Sequence, residues 1–430
     1  MTVILRGPIV HTPKNPFQES QALQAFSDGG LAFRAGQIVA LGSFFEVLAQ
    51  FPEAQVHDCR EGVLLPGLVD THVHYPQTRV IGAMGYTLLD WLEQRTLPQE
   101  ARLSDNKLAR ELAREFVRLL LRNGTTTALV FGSHFQGATT NLFEAAEEVG
   151  LRMIAGQVCS DRMLLPALHT TPEKTYAEQK VLIQRFHGRG KLRYAVTPRF
   201  SLSASEALLE VCQTLLREHP DLHFTTHINE NLEEIRTVAE LFPWAQNYLH
   251  TYDHFGLVGE RSVFAHNVHP SEPELLRLAE ARAAIAHCPS SNAFIGSGIF
   301  PMKRHLDHGV RFGLGSDVGG GTGFSLLKEG LMAYLAQRCA PDGVRLTPAH
   351  LLYLATLAGA EVLGLGEVVG SFSPGKAADV ICLKPQPGST LEVHFRHLET
   401  VEDLLGSLFT LHGEAQVHKV WLEGREALLD

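Results

Sequence analysis

LPGLVDTHVHYPQ, residues 65–77, predicts a buried strand that ends in a pair of histidines. Pro66-Gly67 favours a turn, and the mainly apolar run at 68–71 is typical of a strand in a parallel sheet. Because side chains alternate along a strand, His72 and His74 project to the same side. Two imidazoles placed in this way can bind one metal ion.

Three later positions strengthen this interpretation. With 22 histidines in 430 residues, about one His-x-His pair is expected by chance, and a single histidine is more often a hydrogen-bonded core residue. However, a hydrophobic run followed by a ligand-type residue recurs at His227, His266 and Asp317. In a barrel of parallel strands such ends meet at one rim, where the side chains can share an ion. Imidazole and carboxylate donors suit zinc or ferrous iron better than calcium or magnesium.

The middle of the chain alternates predicted helices and strands. Ser104 is the expected N-cap of a helix that Asn123-Gly124 ends, and a strand is predicted at 125–131. The same couplet recurs at 204–217 with 223–226, and at 272–281 with 283–286. Repeated units of this kind predict a (β/α)8 TIM-type barrel. A doubly wound open sheet is the alternative, but it needs a glycine-rich phosphate turn near its start, and the run at 319–321 comes too late.

Both ends of the chain are rich in short β segments. Ala35-Gly36 is predicted to be a hairpin turn, and the C-terminal strands are expected at 378–383 and 417–422. We therefore expect one small sheet domain built from both termini. The predicted boundaries are 1–65 for its N-terminal part, 66–370 for the catalytic barrel and 371–430 for its C-terminal part.

Composition narrows the class of protein. A chain of 430 residues that is 45% hydrophobic can bury a large core, and its net charge of -10 includes no basic stripe for nucleic acid. The N-terminus lacks the pattern of a signal peptide, and no apolar run is long enough to span a bilayer. The six cysteines contain no C-x-x-C motif, which favours reduced thiols over a disulfide framework. We expect a cytoplasmic protein that acts on a small molecule, with no nucleic acid or membrane partner.

The chain resembles the amidohydrolase superfamily and, within it, the guanine deaminases, over nearly its whole length. The motifs responsible are PGLVDTHVHYPQ at 66–77, NGTTTA at 123–128, VTPRFSLSASE at 196–206, THINEN at 226–231, AHCPSSN at 286–292 and GLGSDVGGG at 313–321. The first and last are superfamily signals, whereas TPRFSLS with HYPQ and His-x-x-Glu is similar to the guanine-specific branch. The resemblance implies a β-sandwich of both termini beside the barrel, a homodimer, and hydrolysis of guanine to xanthine and ammonia in purine catabolism or salvage.

The resemblance also implies a metal set of five residues: His72, His74, His227, His266 and Asp317. Within this set, His266 either binds the ion or orients the attacking water. Many superfamily members hold two metals bridged by a carbamylated lysine, but no lysine ends the predicted strands at 153–158 and 192–196. We therefore expect one zinc ion per chain, with ferrous iron as the alternative.

Glu230 lies three residues after His227 and is the predicted proton-transfer residue. A carboxyl group there can take a proton from the attacking water and deliver it to a ring nitrogen of the substrate. Asp317 is expected to pass a second proton to the departing amine, so that Glu230, Asp317 and His266 form the catalytic set. An arbitrary glutamate is more often a solvated loop residue, but the HINEN setting favours catalysis. Asn229 stands where serine is frequent in the family.

Gln77 and Arg199 are the predicted base-recognition residues, because a planar guanidinium and an amide match the carbonyl and ring nitrogens of a purine. Phe200 is expected to stack on the ring. Alternatively, Arg199 is a surface residue at the end of a strand and Phe200 is a core residue. The resemblance favours a position in the base pocket for both. The predicted substrate-contacting set is His74, Gln77, Arg199, Phe200, His227, Glu230 and Asp317. The aromatic segments at 86–91 and 244–248 are candidates for a lid, although a buried core is the more typical place for most of these aromatic residues. Ser291 and Asn292 are candidate polar groups near the metal and are not expected to be catalytic.

Two alternative functions differ from guanine hydrolysis. The same machinery can act on another amine- or halogen-bearing heterocycle, such as 8-oxoguanine, a pterin or a triazine. A non-catalytic scaffold of the same fold is a further alternative, and such proteins have usually lost ligands. Because all five metal positions and Glu230 are present, the sequence favours an enzyme.

Overall fold

The computed structural model describes residues 1–411, 413 and 416–429. Its strands are β1 Thr2–His11, β2 Gln24–Arg34, β3 Gln37–Ser43, β4 Gln55–Asp58, β5 Val63–Pro66, β6 Leu68–His74, β7 Thr125–Phe131, β8 Arg152–Gly156, β9 Val158–Cys159, β10 Leu192–Pro198, β11 His223–Ile228, β12 Ser262–His266, β13 Ala284–His287, β14 Arg311–Leu314, β15 Val380–Leu383, β16 Val417–Leu422 and β17 Arg425–Glu426.

The α-helices lie mostly between these strands. They are α1 Phe44–Gln50, α2 Leu88–Trp91, α3 Leu97–Ala101, α4 Asn106–Arg122, α5 Gln136–Val149, α6 Pro172–Phe186, α7 Glu206–Glu218, α8 Leu232–Leu241, α9 Tyr248–Asp253, α10 Glu272–Glu280, α11 Pro289–Phe294, α12 Met302–Asp307, α13 Leu326–Cys339, α14 Pro348–Ala355, α15 Leu357–Val362, α16 Thr390–Phe395 and α17 Val401–Leu411. A π-helical turn at Leu92–Thr96 joins α2 to α3.

Eight parallel strands form the barrel in the order β6, β7, β8, β10, β11, β12, β13 and β14. The short β9 extends the sheet beside β10. All residues of β6, β7 and β11 are buried, as expected for strands covered on both faces. The predicted (β/α)8 barrel is confirmed.

Contacts between β6 and the chain around β14 bring the two ends of the barrel sheet together. The Thr71 hydroxyl donates to the Leu314 carbonyl at 2.9 Å. The buried Asp70 carboxylate accepts from the Ser316 backbone N–H at 3.0 Å and from the Ser316 hydroxyl at 2.5 Å. Burial raises the pKa of Asp70 to about 7. Asp70 therefore ties the loop after β14 to the strand that bears the histidine pair.

The helix that ends at Asn123-Gly124 starts one residue later than predicted. Asp105, and not Ser104, is the N-cap of α4, and its carboxylate accepts from the backbone N–H groups of Lys107 and Leu108. An aspartate caps better than a serine whose hydroxyl is already engaged, and the Ser104 hydroxyl donates to the Ala101 carbonyl at 3.0 Å. Gly124 follows with φ of 81°, which stops the helix as expected.

Both termini form a second sheet in the order β17, β16, β15, β5, β1, β2 and β3, with β4 paired to β1. The antiparallel pairing of β15 with β5 joins the C-terminal strands to the N-terminal ones. One apolar cluster contains Phe33 and Leu31 from the N-terminal part together with Trp421 from the C-terminal part. The predicted sheet domain of both termini is confirmed, and its strands form a single hydrogen-bonded sheet.

The C-terminal segment also contributes to the barrel, since α17 packs against α13 and α14. Leu405, Leu408 and Phe409 of α17 are buried. Within the described residues, no helix combines the length and the apolarity that crossing a bilayer requires.

Candidate active site

Four side chains at the C-terminal rim of the barrel converge on one point: His72, His74, His227 and Asp317. Their ligand atoms all lie within 4.8 Å of one another. The Nε2 atom of His74 is 3.2 Å from Nε2 of His72 and 3.2 Å from Nε2 of His227. Oδ1 of Asp317 lies 3.2 Å from His72 Nε2 and 3.3 Å from His74 Nε2. Ligands that share one ion at bonds of about 2.0–2.1 Å have such separations, so the donor set fits zinc.

The protonation of these groups suits metal binding. Nδ1 of His227 lies 2.7 Å from the Arg199 carbonyl and can only donate to it, which leaves the Nε2 lone pair directed at the cluster. Burial lowers the pKa of His74 to about 4 and lowers the pKa of His227 well below its usual value. Burial raises the pKa of Asp317, but its contacts with His72 and His74 outweigh that effect and hold the pKa below its ordinary range. Neutral imidazoles and an ionised carboxylate are the forms that bind metals.

His266 lies beside the four ligands, at the end of β12. Its Nε2 atom is 3.5 Å from Glu230 Oε2 and 3.9 Å from Asp317 Oδ2. Its Nδ1 atom is 3.0 Å from the Asn292 side-chain oxygen and donates to it. Asn292 therefore holds the ring with Nε2 directed towards the carboxylates of Glu230 and Asp317.

Glu230 is buried and faces His266 and the metal-ligand cluster. Burial and repulsion from Asp317 raise the pKa of Glu230 to about 8. The Ser297 hydroxyl donates to Glu230 Oε1 at 3.3 Å. The capping box of α8, in which Glu234 accepts from the Asn231 N–H, fixes the backbone immediately after Glu230. The carboxyl group is therefore positioned to exchange protons inside a site shielded from bulk solvent.

The backbone at the rim adopts conformations that side chains rarely favour. Asn229, His266, Asn267 and Asp317 have φ angles of 49°, 72°, 48° and 45°. Such left-handed residues cluster at functional sites, where the surrounding structure holds them in place. The Asn229 side chain contributes to this support, because it donates to Asn267 at 3.0 Å and to Glu274 at 3.1 Å. Asparagine is therefore well accommodated at this position.

Phe131, the last residue of β7, packs against three of the histidines. Its ring centroid lies 4.9 Å from His72, 4.7 Å from His74 and 4.7 Å from His227. This apolar contact excludes water from one side of the cluster and limits the rotation of the imidazoles. Sequence reasoning placed a strand end at this residue but assigned it no role.

Gln77 and Arg199 both contact a residue that the sequence analysis missed, the buried Glu100. Arg199 Nη1 lies 2.8 Å and 2.9 Å from the two carboxylate oxygens, and Gln77 Nε2 lies 2.9 Å from Oε1. His134 Nδ1 is 3.3 Å from Oε2. Burial raises the pKa of Glu100, but the attraction of Arg199 and the contact with His134 outweigh it, so the net pKa lies below its usual range.

A cavity joins the metal-ligand cluster to these base-recognition residues. It is lined by His74, Gln77, Leu88, Trp91, Leu92, Arg199, Phe200, His227, Glu230, His266, Ile295 and Asp317. All predicted site residues except the fully buried His72 therefore face one space. Its accessible volume is about 20 Å³, room for roughly one water molecule, so a purine can enter only if side chains move apart.

The two aromatic segments considered for a lid differ in their relation to the cavity. Leu88 and Trp91, from the segment at 86–91, close one side of the cavity. Trp244 instead packs against His254 with ring centroids 4.6 Å apart, and the Tyr248 hydroxyl donates to Glu234. The segment at 244–248 therefore supports α8 and does not line the cavity.

The residues that the sequence analysis missed differ in whether a sequence pattern could have identified them. His134 follows β7 by three residues, so the rule of a ligand-type residue after a strand could have found it. Glu100 lies in the short α3, between charged and apolar residues that read as a surface helix. Ser297 stands between Gly296 and Gly298, a pattern that predicts a loop and nothing about its contacts.

Comparisons with known proteins agree with this geometry. Residues 63–427 match the amidohydrolase family. A protein of Deinococcus radiodurans described as a probable guanine deaminase is 58% identical over 427 residues, covering 98% of this chain and 97% of that one. The guanine deaminase of Escherichia coli is 40% identical over 418 residues, covering 97% and 95% of the two chains. A crystal structure of guanine deaminase from C. acetobutylicum with bound guanine in the active site is similar with a TM-score of 0.91 at 25% identity, covering 100% of both chains.

Proposed function

The chain belongs to the amidohydrolase family, and we propose that it hydrolyses guanine to xanthine and ammonia in purine catabolism or salvage. Full-length similarity to two proteins described as guanine deaminases supports this substrate. The observation that supports it best is the shared cavity, in which Arg199 and Gln77 face Glu230 and the metal-ligand cluster. A recognition group and a hydrolytic group are thereby placed around one small molecule.

We propose one zinc ion per chain, with ferrous iron as the alternative, held by His72, His74, His227 and Asp317. When bound, such an ion polarises water and lowers its pKa towards ~7. His266 completes the predicted metal set. Its distances of 3.5 Å to Glu230 and 3.9 Å to Asp317 favour a role in orienting the attacking water.

Proton transfer is assigned to the two carboxyl groups. Glu230 takes a proton from the attacking water and delivers it to the ring nitrogen next to the carbon that bears the amino group, which makes that carbon more electrophilic. Asp317 accepts the second proton and passes it to the amino group, which leaves as ammonia. His266 lies near both carboxyl groups and holds the water between them.

Arg199, Gln77 and Phe200 are assigned to binding the base. The guanidinium of Arg199 donates to the carbonyl oxygen of the purine in the plane of the ring. Phe200 is buried and lines the cavity, and its ring is assigned to stack on the base. Leu88 and Trp91 exclude water from the reacting groups once the base is in place.

Glu230→Gln tests the assigned proton path. The amide cannot relay protons but keeps the size of the side chain, so kcat for guanine should fall at least about 10³-fold while bound metal is retained. The matched control is Glu361→Gln, since Glu361 is a half-buried glutamate that accepts from the Tyr353 hydroxyl and does not line the cavity. Near-normal turnover by Glu230→Gln would refute the proton path.

Ammonia release with product identification tests the substrate. The panel consists of guanine, 8-oxoguanine, adenine, cytosine, a pterin and an aminotriazine, assayed with protein of measured metal content. Conversion of guanine to xanthine with about one metal per chain is the expected result. Faster turnover of another member would keep the mechanism and reassign the substrate, and inactivity of metal-loaded protein on guanine would reject the proposal.

Three further assignments belong to the same proposal. A cytoplasmic location agrees with the six free cysteines, five of them buried. A homodimer rests on the family resemblance, and light scattering coupled to size exclusion tests it. The domain boundaries 1–65, 66–370 and 371–430 stay a proposal: β5 ends at Pro66 in the terminal sheet and β6 starts the barrel at Leu68, while α17, from the third range, packs against α13 and α14.

A further inference from the structure

Glu100 connects the two base-recognition residues from behind the cavity. It lies in α3, is 2% exposed, and does not line the cavity itself. Its Oε1 atom accepts from Gln77 Nε2 at 2.9 Å and from Arg199 Nη1 at 2.9 Å, while Oε2 accepts from Arg199 Nη1 at 2.8 Å. The mechanism proposed above assigns no role to this carboxylate.

We propose that Glu100 is a specificity-determining positioning residue. It orients the Gln77 amide so that the site accepts a purine with an amino group at C2 only if the purine also carries a ring N–H beside a ring carbonyl. This inference rests on the proposed function and extends it. The group recognised is a ring N–H next to a ring carbonyl, as in guanine. A purine in which that ring nitrogen carries no hydrogen, and so can only accept a hydrogen bond, should be rejected.

The orientation of Gln77 follows from the inventory of donors and acceptors. An ionised carboxylate can only accept hydrogen bonds, and Glu100 is ionised because Arg199 stabilises its charge. The only donor group of a glutamine side chain is its NH₂. The amide nitrogen of Gln77 must therefore face Glu100, whichever way an isolated amide would turn.

Because the amide nitrogen of Gln77 is bound to Glu100, the amide oxygen is the atom that can bind the substrate. Gln77 Oε1 is buried, and no hydrogen-bond partner for it occurs among the residues that the structure describes. Gln77 and Arg199 both line the cavity. Beside the guanidinium of Arg199, which can only donate, the cavity thus offers the Gln77 oxygen as an acceptor.

This pair matches one edge of guanine and mismatches close analogues. The N1–H of guanine donates to Gln77 Oε1, and its carbonyl oxygen accepts from Arg199. In 2-aminopurine the same amino group is present, but N1 is an acceptor and the carbonyl is missing. Its N1 lone pair would face the Gln77 oxygen, leaving two buried acceptors without a proton between them. Sites built to hydrogen-bond a substrate group reject an analogue that lacks it by about 10⁴-fold.

A purely structural role is the alternative to this inference. Glu100 neutralises the buried Arg199, and any substitution that disturbs this pair can lower activity by loosening the cavity. Such damage would reduce turnover of every substrate by a similar factor. The ratio of kcat/KM for guanine to kcat/KM for 2-aminopurine separates positioning from general damage. Guanine pairs with both Gln77 and Arg199, the two residues that Glu100 holds, whereas 2-aminopurine lacks both groups that they bind.

The test is Glu100→Gln, with both substrates assayed by ammonia release at equal metal content. The introduced amide can accept from Arg199 and donate to Gln77 Oε1, which allows the Gln77 amide to turn and present its NH₂ to the cavity. We expect the guanine to 2-aminopurine ratio to fall at least 10-fold, mainly through a loss in kcat/KM for guanine. An equal loss for both substrates would overturn the inference.

Glu100→Asp provides a second variant if Glu100→Gln does not fold. Aspartate keeps the charge for Arg199 but is one methylene shorter, so its contact with Gln77 should be lost and the ratio should again fall. An unchanged ratio in this folded variant would overturn the inference. Glu361→Gln is the control and should leave the ratio unchanged. Failure of the wild-type protein to deaminate guanine would instead reject the proposed function, so the two failures are distinguishable.

Discussion

Two buried arginines, Arg199 at the catalytic rim and Arg152 where the barrel meets the terminal sheet, form ion pairs of different quality. Arg199 Nη1 lies 2.8 Å from Glu100 and 2.9 Å from its other oxygen. Arg152 Nη2 lies 3.6 Å from Asp379 and 3.3 Å from Glu423, whose side chain is 43% exposed. The first pair is tight and enclosed, whereas the second is loose and reaches solvent.

The difference appears in the charge state that each carboxylate prefers. Burial raises the pKa of both, but for Glu100 the close guanidinium outweighs burial and the net pKa is lowered. For Asp379 the more distant guanidinium of Arg152 does not outweigh burial, so the net pKa is raised. Asp379 instead uses one oxygen to accept from the Glu423 backbone N–H at 2.7 Å. The rim pair is therefore a tight ion pair beside the cavity, while the lower pair joins two parts of the fold.

Arg199→Met should give the largest effect. The substitution leaves the buried Glu100 without its partner, which costs about 3–5 kcal/mol of unfolding free energy. It also removes a charge-assisted hydrogen bond to the purine carbonyl, so kcat/KM for guanine should fall at least about 10²-fold. Denaturant unfolding and steady-state kinetics measure the two losses, and metal content should stay unchanged. Loss of bound metal would show that Arg199 supports the metal site.

Arg152→Met should lower stability without lowering activity. The pair with Asp379 is longer and partly solvated, so we expect a loss of about 1–3 kcal/mol in unfolding free energy. Because Arg152 lies at the start of β8, at the end of the barrel away from the rim, kcat/KM for guanine should change less than about twofold. A large drop in kcat/KM with retained stability would contradict the division between the two pairs.

The pH dependence of stability should have opposite signs at the two carboxylates. The pKa of folded Glu100 lies below its ordinary value of 4.5, so its ionised form stabilises the protein above that pH and the benefit is lost on acidification. The cost of Glu100→Gln should therefore be greatest near neutral pH.

For Asp379 the folded pKa lies above its ordinary value of 3.8, so protonation stabilises the fold as the pH falls through the folded pKa. The cost of Asp379→Asn should therefore grow on acidification. Unfolding free energies of both variants and the wild type at several pH values between about 3 and 7 check the signs, since the Glu100 contribution is lost below its ordinary value of 4.5. If the costs of Glu100→Gln and Asp379→Asn changed with pH in the same direction, the contrast between the two ion pairs would be refuted.

Lys303→Met should give the smallest effect. Lys303 and Asp307 form an exposed pair one helical turn apart at 2.5 Å, with side chains 54% and 55% exposed. Exposed pairs of this spacing contribute about 0.3–0.5 kcal/mol, because solvent screens the attraction. Thermal unfolding should shift by no more than about 1 °C, and kcat/KM should not change. A larger shift would mean that a short distance between the charged atoms stabilises an ion pair in this protein even when both side chains are exposed.

Local patterns were sufficient to locate the metal-ligand residues. His72, His74 and His227 lie at the ends of strands whose apolar character is visible in a few consecutive residues. Asp317 lies three residues beyond β14, which is shorter than the predicted strand, yet the Asp70–Ser316 contacts return the loop to the rim. Ends of parallel strands meet by the geometry of the barrel, so the sequence needed to reveal only the strands.

Glu100, Phe131 and Ser297 could not be assigned in the same way. Glu100 is separated from Arg199 by 99 positions along the chain and from Gln77 by 23. Its helix is short, and its neighbours carry no periodicity that distinguishes a buried glutamate from an exposed one. The outcome depends on how the segment at 78–105 folds over the rim, which is a property of packing between distant parts of the chain.

The sequence by itself indicated the alternation of helix and strand, the joining of both termini in one sheet, and the candidate metal-ligating and proton-transferring residues. These follow from hydrophobic period and from motifs a few residues long, which are local properties. The tertiary structure alone decided which buried charges meet, at what distance, and which amide atom faces the cavity. Such contacts depend on long-range packing: Glu100 lies 2.8 Å from its arginine and has a lowered pKa, whereas Asp379 lies 3.6 Å from its arginine and has a raised pKa.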